Sequence, residues 1–117
     1  MKTIEIANRL VELCRNGDYQ TCYEELFSPD VESFEPESSD TPYSKGLTKI
    51  GEKGKVWAEH MQEFHDSKVS DPIAAGNFFS CTIMADYTLK GGQRIKMEEV
   101  CVYEVKDGKI IKEIFYY

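Results

Sequence analysis

The chain has no apolar run long enough to cross a bilayer or to act as a signal-peptide core. Its first residues, Met1-Lys2-Thr3-Ile4-Glu5-Ile6, already break the apolar positions with charge, so the expected address is the cytoplasm. Positive charge is scarce: 14 Lys plus Arg against 21 Asp plus Glu give a net charge of −7. That balance repels nucleic-acid phosphates and anionic lipid headgroups, so neither nucleic acid nor membrane is an expected partner. Histidine is rarer still. His60 and His65 lie five apart with no carboxylate cluster at ligand spacing, so no metal site is expected. Cys14, Cys22, Cys81 and Cys101 lack the short paired spacings of zinc or redox sites. Each falls on an apolar face and reads as a reduced, buried thiol, although an even count also suits disulfides in a secreted chain. There is no Ser-His-Asp arrangement, no glycine-rich phosphate loop and no nucleotide fingerprint, so no cofactor is expected. Nor is there an internal repeat or a second domain, and 117 residues suffice for one core, giving a single domain over residues 1–117.

What the chain does contain is well punctuated. Near the end, Met97 to Val105, the turn Asp107-Gly108 and the stretch Lys109 to Tyr117 spell a β-hairpin. Asp-Gly supplies the positive φ angles of a two-residue type I′ turn. At the start, Ile6, Ala7, Leu10, Leu13 and Cys14 recur at helical spacing, with Thr3 as N-cap and Gly17 as terminator. Asp18 then caps a second helix that carries Tyr19, Cys22, Tyr23 and Leu26 and stops before Pro29. Val31 to Phe34 is a short strand, and Glu35 to Pro42 is turn chemistry. From Gly46, the stripe Leu47, Ile50, Gly54, Trp57, Met61 and Phe64 predicts a third helix with one apolar face. His65 stands at its end, and Gly54 marks a close approach of backbone or ligand.

A long strand pair is expected from about Asn77 to Lys90 and from Arg94 to Lys106, joined through Gly91-Gly92-Gln93. That register sets Tyr87 against Met97, Ala85 against Glu99, Ile83 against Cys101 and Cys81 against Tyr103 on an apolar face broken only by Glu99. A slip of one residue would turn Glu98 inward instead. Met84, Val100 and Val102 fall on the other face.

Helix, Asn-Gly-Asp corner, helix, short strand, Glu-Pro turn, helix and a meander closing on Asp-Gly-Lys-Ile with an aromatic tail together resemble the SnoaL-like branch of the nuclear transport factor 2-like superfamily. The resemblance spans essentially the whole chain. It implies an α+β fold in which a cone-shaped, curved mixed sheet wraps around a long helix, with helices at the N-terminus and a pocket between sheet and helices. It also implies chemistry of the polyketide cyclase, isomerase or dehydratase kind, or a non-catalytic ligand-binding or dimeric interaction module, because fold alone does not choose. Glu35-Pro36 stands where the related ketosteroid isomerases carry their general base. Their two oxyanion donors would fall at Leu10 and about Cys101, neither of which serves, so a steroid isomerase is not expected.

The resemblance to SnoaL-like cyclases points to Glu99 as an acid inside the pocket. A carboxylate there would be costly unless protonated or paired, with Lys112, His60 or Tyr103 as partners. The expected catalytic residues are therefore Glu35 and Glu99. The expected pocket residues are Tyr43, Trp57, His60, Tyr87, Met97, Cys101, Tyr103, Lys112 and Tyr116. The expected ligand is an apolar or carbonyl-containing small molecule. The outer patch of Met84, Val100 and Val102 reads as a homodimer contact, as in many members of the superfamily.

Overall fold

The computed structural model describes residues 1–117, and it begins where the sequence pattern is strongest. Helix α1 runs Thr3–Arg15 and buries Ile6, Ala7, Leu10, Val11, Leu13 and Cys14. Its cap is Lys2 and not Thr3: the backbone N–H of Lys2 donates to Glu5 Oε1 at 2.8 Å, so Thr3 is already helical. Gly17, at φ 70°, turns the chain into α2, Tyr19–Leu26. There the Asp18 carboxylate accepts the Thr21 N–H at 3.3 Å, as its place before the helix demands.

Strands β1 (Phe27–Phe34) and β2 (Tyr43–Lys45) follow, then α3 (Leu47–His60), β3 (Met61–Val69), β4 (Ile73–Ala75), β5 (Phe78–Leu89), β6 (Arg94–Lys106) and β7 (Lys109–Tyr116). The order β2-β1-β7-β6-β5-β3, with β4 beside β5, makes one seven-stranded sheet that does not close into a barrel. Only the β1–β7 pair is parallel, so the sheet is mixed and the class is α+β. Helices α1 and α2 lie on the sheet and supply eight of the eighteen buried apolar residues of the core; α3 adds Ile50, and the strands supply the other nine, among them Phe27, Val31, Phe79, Tyr103 and Ile110.

The third helix is shorter than its apolar stripe. Met61 is extended, at φ −89° and ψ 130°, and pairs with Leu89, while the Lys90 N–H donates to His60 O at 2.9 Å. Met61 and Phe64 fit the helical spacing by coincidence, and the free edge of β5 takes them as a strand. His65 therefore lies on β3, its Nε2 2.6 Å from Thr88 Oγ1, and not at a helix end. Gly54 has nothing within 4 Å of where a Cβ would stand, so it marks no close approach. The first strand starts at Phe27 and carries Pro29 in an irregular stretch, where β1 and β7 change register between Phe27 and Glu32.

In the long strand pair the three-residue loop is Lys90-Gly91-Gly92, because the Leu89 N–H donates to Gln93 O at 2.8 Å. Each inward residue moves its partner by two positions, so Glu99 faces Ile83 and Cys81 faces Cys101. A two-residue displacement preserves the faces, and Glu99 stays on the concave side. The final turn has Asp107 at φ 52° and Gly108 at φ 77°, both positive as a type I′ hairpin requires. All four cysteines are buried free thiols. No helix is long and apolar enough to cross a membrane.

Candidate functional site

Strand alternation places Ser33 of β1, Glu113 and Phe115 of β7, and Glu99, Cys101 and Tyr103 of β6 on the concave face. The inward position of Glu113 depends on a bulge. Val105 pairs with Ile110 but Glu104 pairs with Lys112, so Ile111 is an extra residue in β7. Without it Lys112 would face Tyr103; with it Glu113 does. Lys112 turns to the opposite face, with its Nζ 5.6 Å from the centre of the Phe34 ring.

Glu113 is only 1% exposed. The Tyr23 hydroxyl lies 3.3 Å from each of its carboxylate oxygens, and Ser33 is its neighbour across the parallel pair. Burial raises its pKa to about 7, against the pull of Ser33, Lys53 and Tyr23 toward the charged form. Glu99 is also pushed up to about 7. Burial is again the main cause and the charge of Glu35 adds to it, while the Cys101 thiol, 3.7 Å from Glu99 Oε1, and Lys53 oppose it. Two carboxyl groups on one concave face are thus poised to gain or lose a proton near neutrality.

A cation from α3 reaches these acids. Lys53 Nζ lies 3.0 Å from Glu35 Oε2 and donates to Ser33 Oγ at 3.2 Å. The Tyr117 hydroxyl donates to Glu35 Oε1 at 3.1 Å. The inward residues of α3 become more exposed along the helix. Ile50 is 4% and Trp57 42% exposed, so the C-terminal half of α3 is open to solvent. Trp57 stands edge-on to Tyr87 there, with ring centres 5.4 Å apart.

The sequence-derived residues divide accordingly. Glu35, Glu99, Cys101, Tyr103, Trp57, Tyr87 and Met97 lie on or beside the concave face, and the Tyr87 hydroxyl is 4.0 Å from Met97 Sδ. Tyr43, Tyr116 and Lys112 do not. Tyr43 bonds Glu32 at 2.8 Å on the outer face, and Tyr116 sits opposite the exposed Val100. His60 is exposed and its Nδ1 lies 2.8 Å from Val56 O in its own helix, so it partners no acid. Sequence reasoning missed Glu113, hidden by the bulge, and Lys53, which reads as an ordinary solvent-facing lysine. It also missed Ser33, Tyr23 and Tyr117 as donors. No three His, Cys, Asp or Glu side chains gather at metal-holding geometry.

The whole chain, residues 1–117, matches the SnoaL-like domain family. Among solved structures, a candidate SnoaL-like polyketide cyclase from Mesorhizobium loti, also labelled a carbohydrate phosphatase, is 35% identical over 100% of both chains with a TM-score of 0.93. A cystatin-like-fold protein of unknown function from Xanthomonas campestris is 25% identical over 99% of this chain and 90% of its own, with a TM-score of 0.81. A nuclear transport factor 2-like protein from Burkholderia pseudomallei shares the fold at 15% identity, covering 100% and 92%, with a TM-score of 0.81. No curated protein matches the chain. With the family pattern covering every residue and a full-length relative at 35% identity, this chain belongs to the SnoaL-like domain family.

Proposed function

We propose that the concave face binds a small carbonyl-containing molecule and that Glu99 is the general acid–base acting on it. The observation that carries this reading is Glu99 itself: a carboxyl on an otherwise apolar strand face, raised to about 7 and therefore matched to proton transfer at neutral pH. A proton removed next to a carbonyl leaves negative charge on the carbonyl oxygen. Lys53 and the Tyr117 hydroxyl are the donors placed to meet it, taking the part that Leu10 and Cys101 do not. Trp57, Tyr87 and Phe115 offer apolar surface to the rest of the molecule. The polyketide cyclase name of the Mesorhizobium loti relative supports carbonyl chemistry of this class.

The test is a panel of enolisable cyclic ketones and 1,3-diketones, with α-proton exchange in D₂O followed by NMR. The protein should accelerate exchange of at least one member, and Glu99→Gln should lower that rate by about 100-fold or more, the usual worth of a positioned general base. Exchange unaffected by Glu99→Gln would leave a binding site without catalysis.

The working unit in this reading is a homodimer joined through the outer sheet face. Val100 and Tyr116, exposed and paired across β6 and β7, are its apolar centre. The four free thiols suit the reducing cytoplasm.

A further inference from the structure

The donors assigned above to a ligand's oxygen are not idle. Glu35 occupies them, with one carboxylate oxygen 3.0 Å from Lys53 Nζ and the other accepting from Tyr117 at 3.1 Å. A second oxyanion presented from outside would need the same partners in the same arrangement. Glu35 is also replaceable. Its side chain is 17% exposed and that of Lys53 21%, so both reach the solvent beside α3. Its backbone is held independently, its N–H donating to Pro42 O at 2.9 Å, so the side chain can swing outward while the strand end stays in place. Ser33 and the buried Glu113 remain beneath Lys53 to keep the ammonium inside.

We propose that Glu35 is an internal placeholder: its carboxylate fills the Lys53–Tyr117 donor pair until a ligand bearing an anionic oxygen, as carboxylate, phenolate or enolate, displaces it. The inference rests on the concave face being a small-molecule site, and it recasts Glu35 as a competitor and not the base suggested by its Glu-Pro setting. It also narrows the ligand class to molecules that carry, or develop, negative charge on oxygen next to an apolar body. Glu99, Glu113 and Glu35 all face the incoming charge, with Lys53 as their cation and Tyr23, Ser33, Tyr103 and Cys101 packed around them. Added negative charge favours the protonated form of the acids, so binding takes up protons near neutral pH.

Benzoate is a suitable probe because it joins a carboxylate to a flat apolar ring. Binding to the full chain would be followed at pH 7 by amide chemical shifts, and by calorimetry in two buffers of different ionisation enthalpy. Benzoate should shift the resonances of Lys53, Phe115 and Tyr117 and should take up protons. Glu35→Gln should tighten binding about tenfold, equivalent to removing about 1.4 kcal/mol of internal competition. Lys53→Met should abolish binding, and Tyr117→Phe should weaken it severalfold. Glu35→Ala, with thermal melting to check the fold, guards against an effect peculiar to glutamine. Unchanged or weaker binding in both Glu35 variants would overturn the proposal, as would shifts confined to other surfaces or no binding at all. None of those results touches the Glu99 exchange assay. Conversely, a failed exchange assay with tighter benzoate binding in Glu35→Gln would leave the placeholder standing and remove the catalysis.

Discussion

Replacing Glu113 by glutamine tests the energetics of the concave face without any ligand. An ordinary glutamate titrates near 4.5 and Glu113 near 7, with burial as the first cause. Its pKa is raised on folding, so between those values the native state holds a proton that the unfolded chain releases, and stability falls as pH rises. The penalty is absent below about pH 4.5 and complete above about pH 7. At about 1.4 kcal/mol per unit it amounts to roughly 3 kcal/mol. Glutamine keeps the shape and an acceptor for the Tyr23 hydroxyl but cannot ionise, so Glu113→Gln should match wild type near pH 4.5 and exceed it at pH 8. For a domain of this size that gap corresponds to a melting temperature about 10 °C higher. Circular-dichroism melts from pH 4.5 to 8 read it directly, and the difference between the two proteins cancels the contributions of groups that do not interact with Glu113. Melting curves that stay parallel across this range would refute the reasoning.

Three further outcomes follow from named contacts. Gly54→Ala meets no neighbour within 4 Å and fills an exposed helix interior; it should stabilise the protein by about 1 kcal/mol in urea unfolding. Lys53→Met removes the cation that favours the charged forms of both Glu99 and Glu113, so both should titrate at higher pH than in wild type, as read by carboxyl ¹³C shifts. Val100→Glu places charge at the centre of the exposed outer patch and should yield a monomer by light scattering; a dimer that survives it would place the contact elsewhere.

Much of the fold was legible because it is written in local chemistry. The Asp18 cap, the Asp107-Gly108 turn and the alternation along β6 each act within a few residues. The concave placement of Glu99 survived an error in the loop because a two-residue displacement leaves faces unchanged. What was not legible depends on partners distant in sequence. Strand β3 is a polar, bulged edge strand, and its Met61 and Phe64 happened to extend a helical stripe until pairing with β5 claimed them. The inward turn of Glu113 rests on one extra residue, Ile111, which no propensity marks. Lys53 acquires its meaning only when α3 is laid beside Glu35 and Ser33. The site is therefore half visible in the sequence: its acid on β6 is there, while its cation and its buried second acid emerge only from packing.

The most direct test of the central claim is the titration of Glu99 followed by the ¹³C shift of its side-chain carboxyl in the full chain, with Glu99→Gln to assign the signal. A midpoint near 7 is the predicted result and gives Glu99 the proton affinity of a general acid–base at neutral pH. A midpoint in the ordinary range near 4.5 would contradict it and leave Glu99 a solvated carboxylate with no proton to trade.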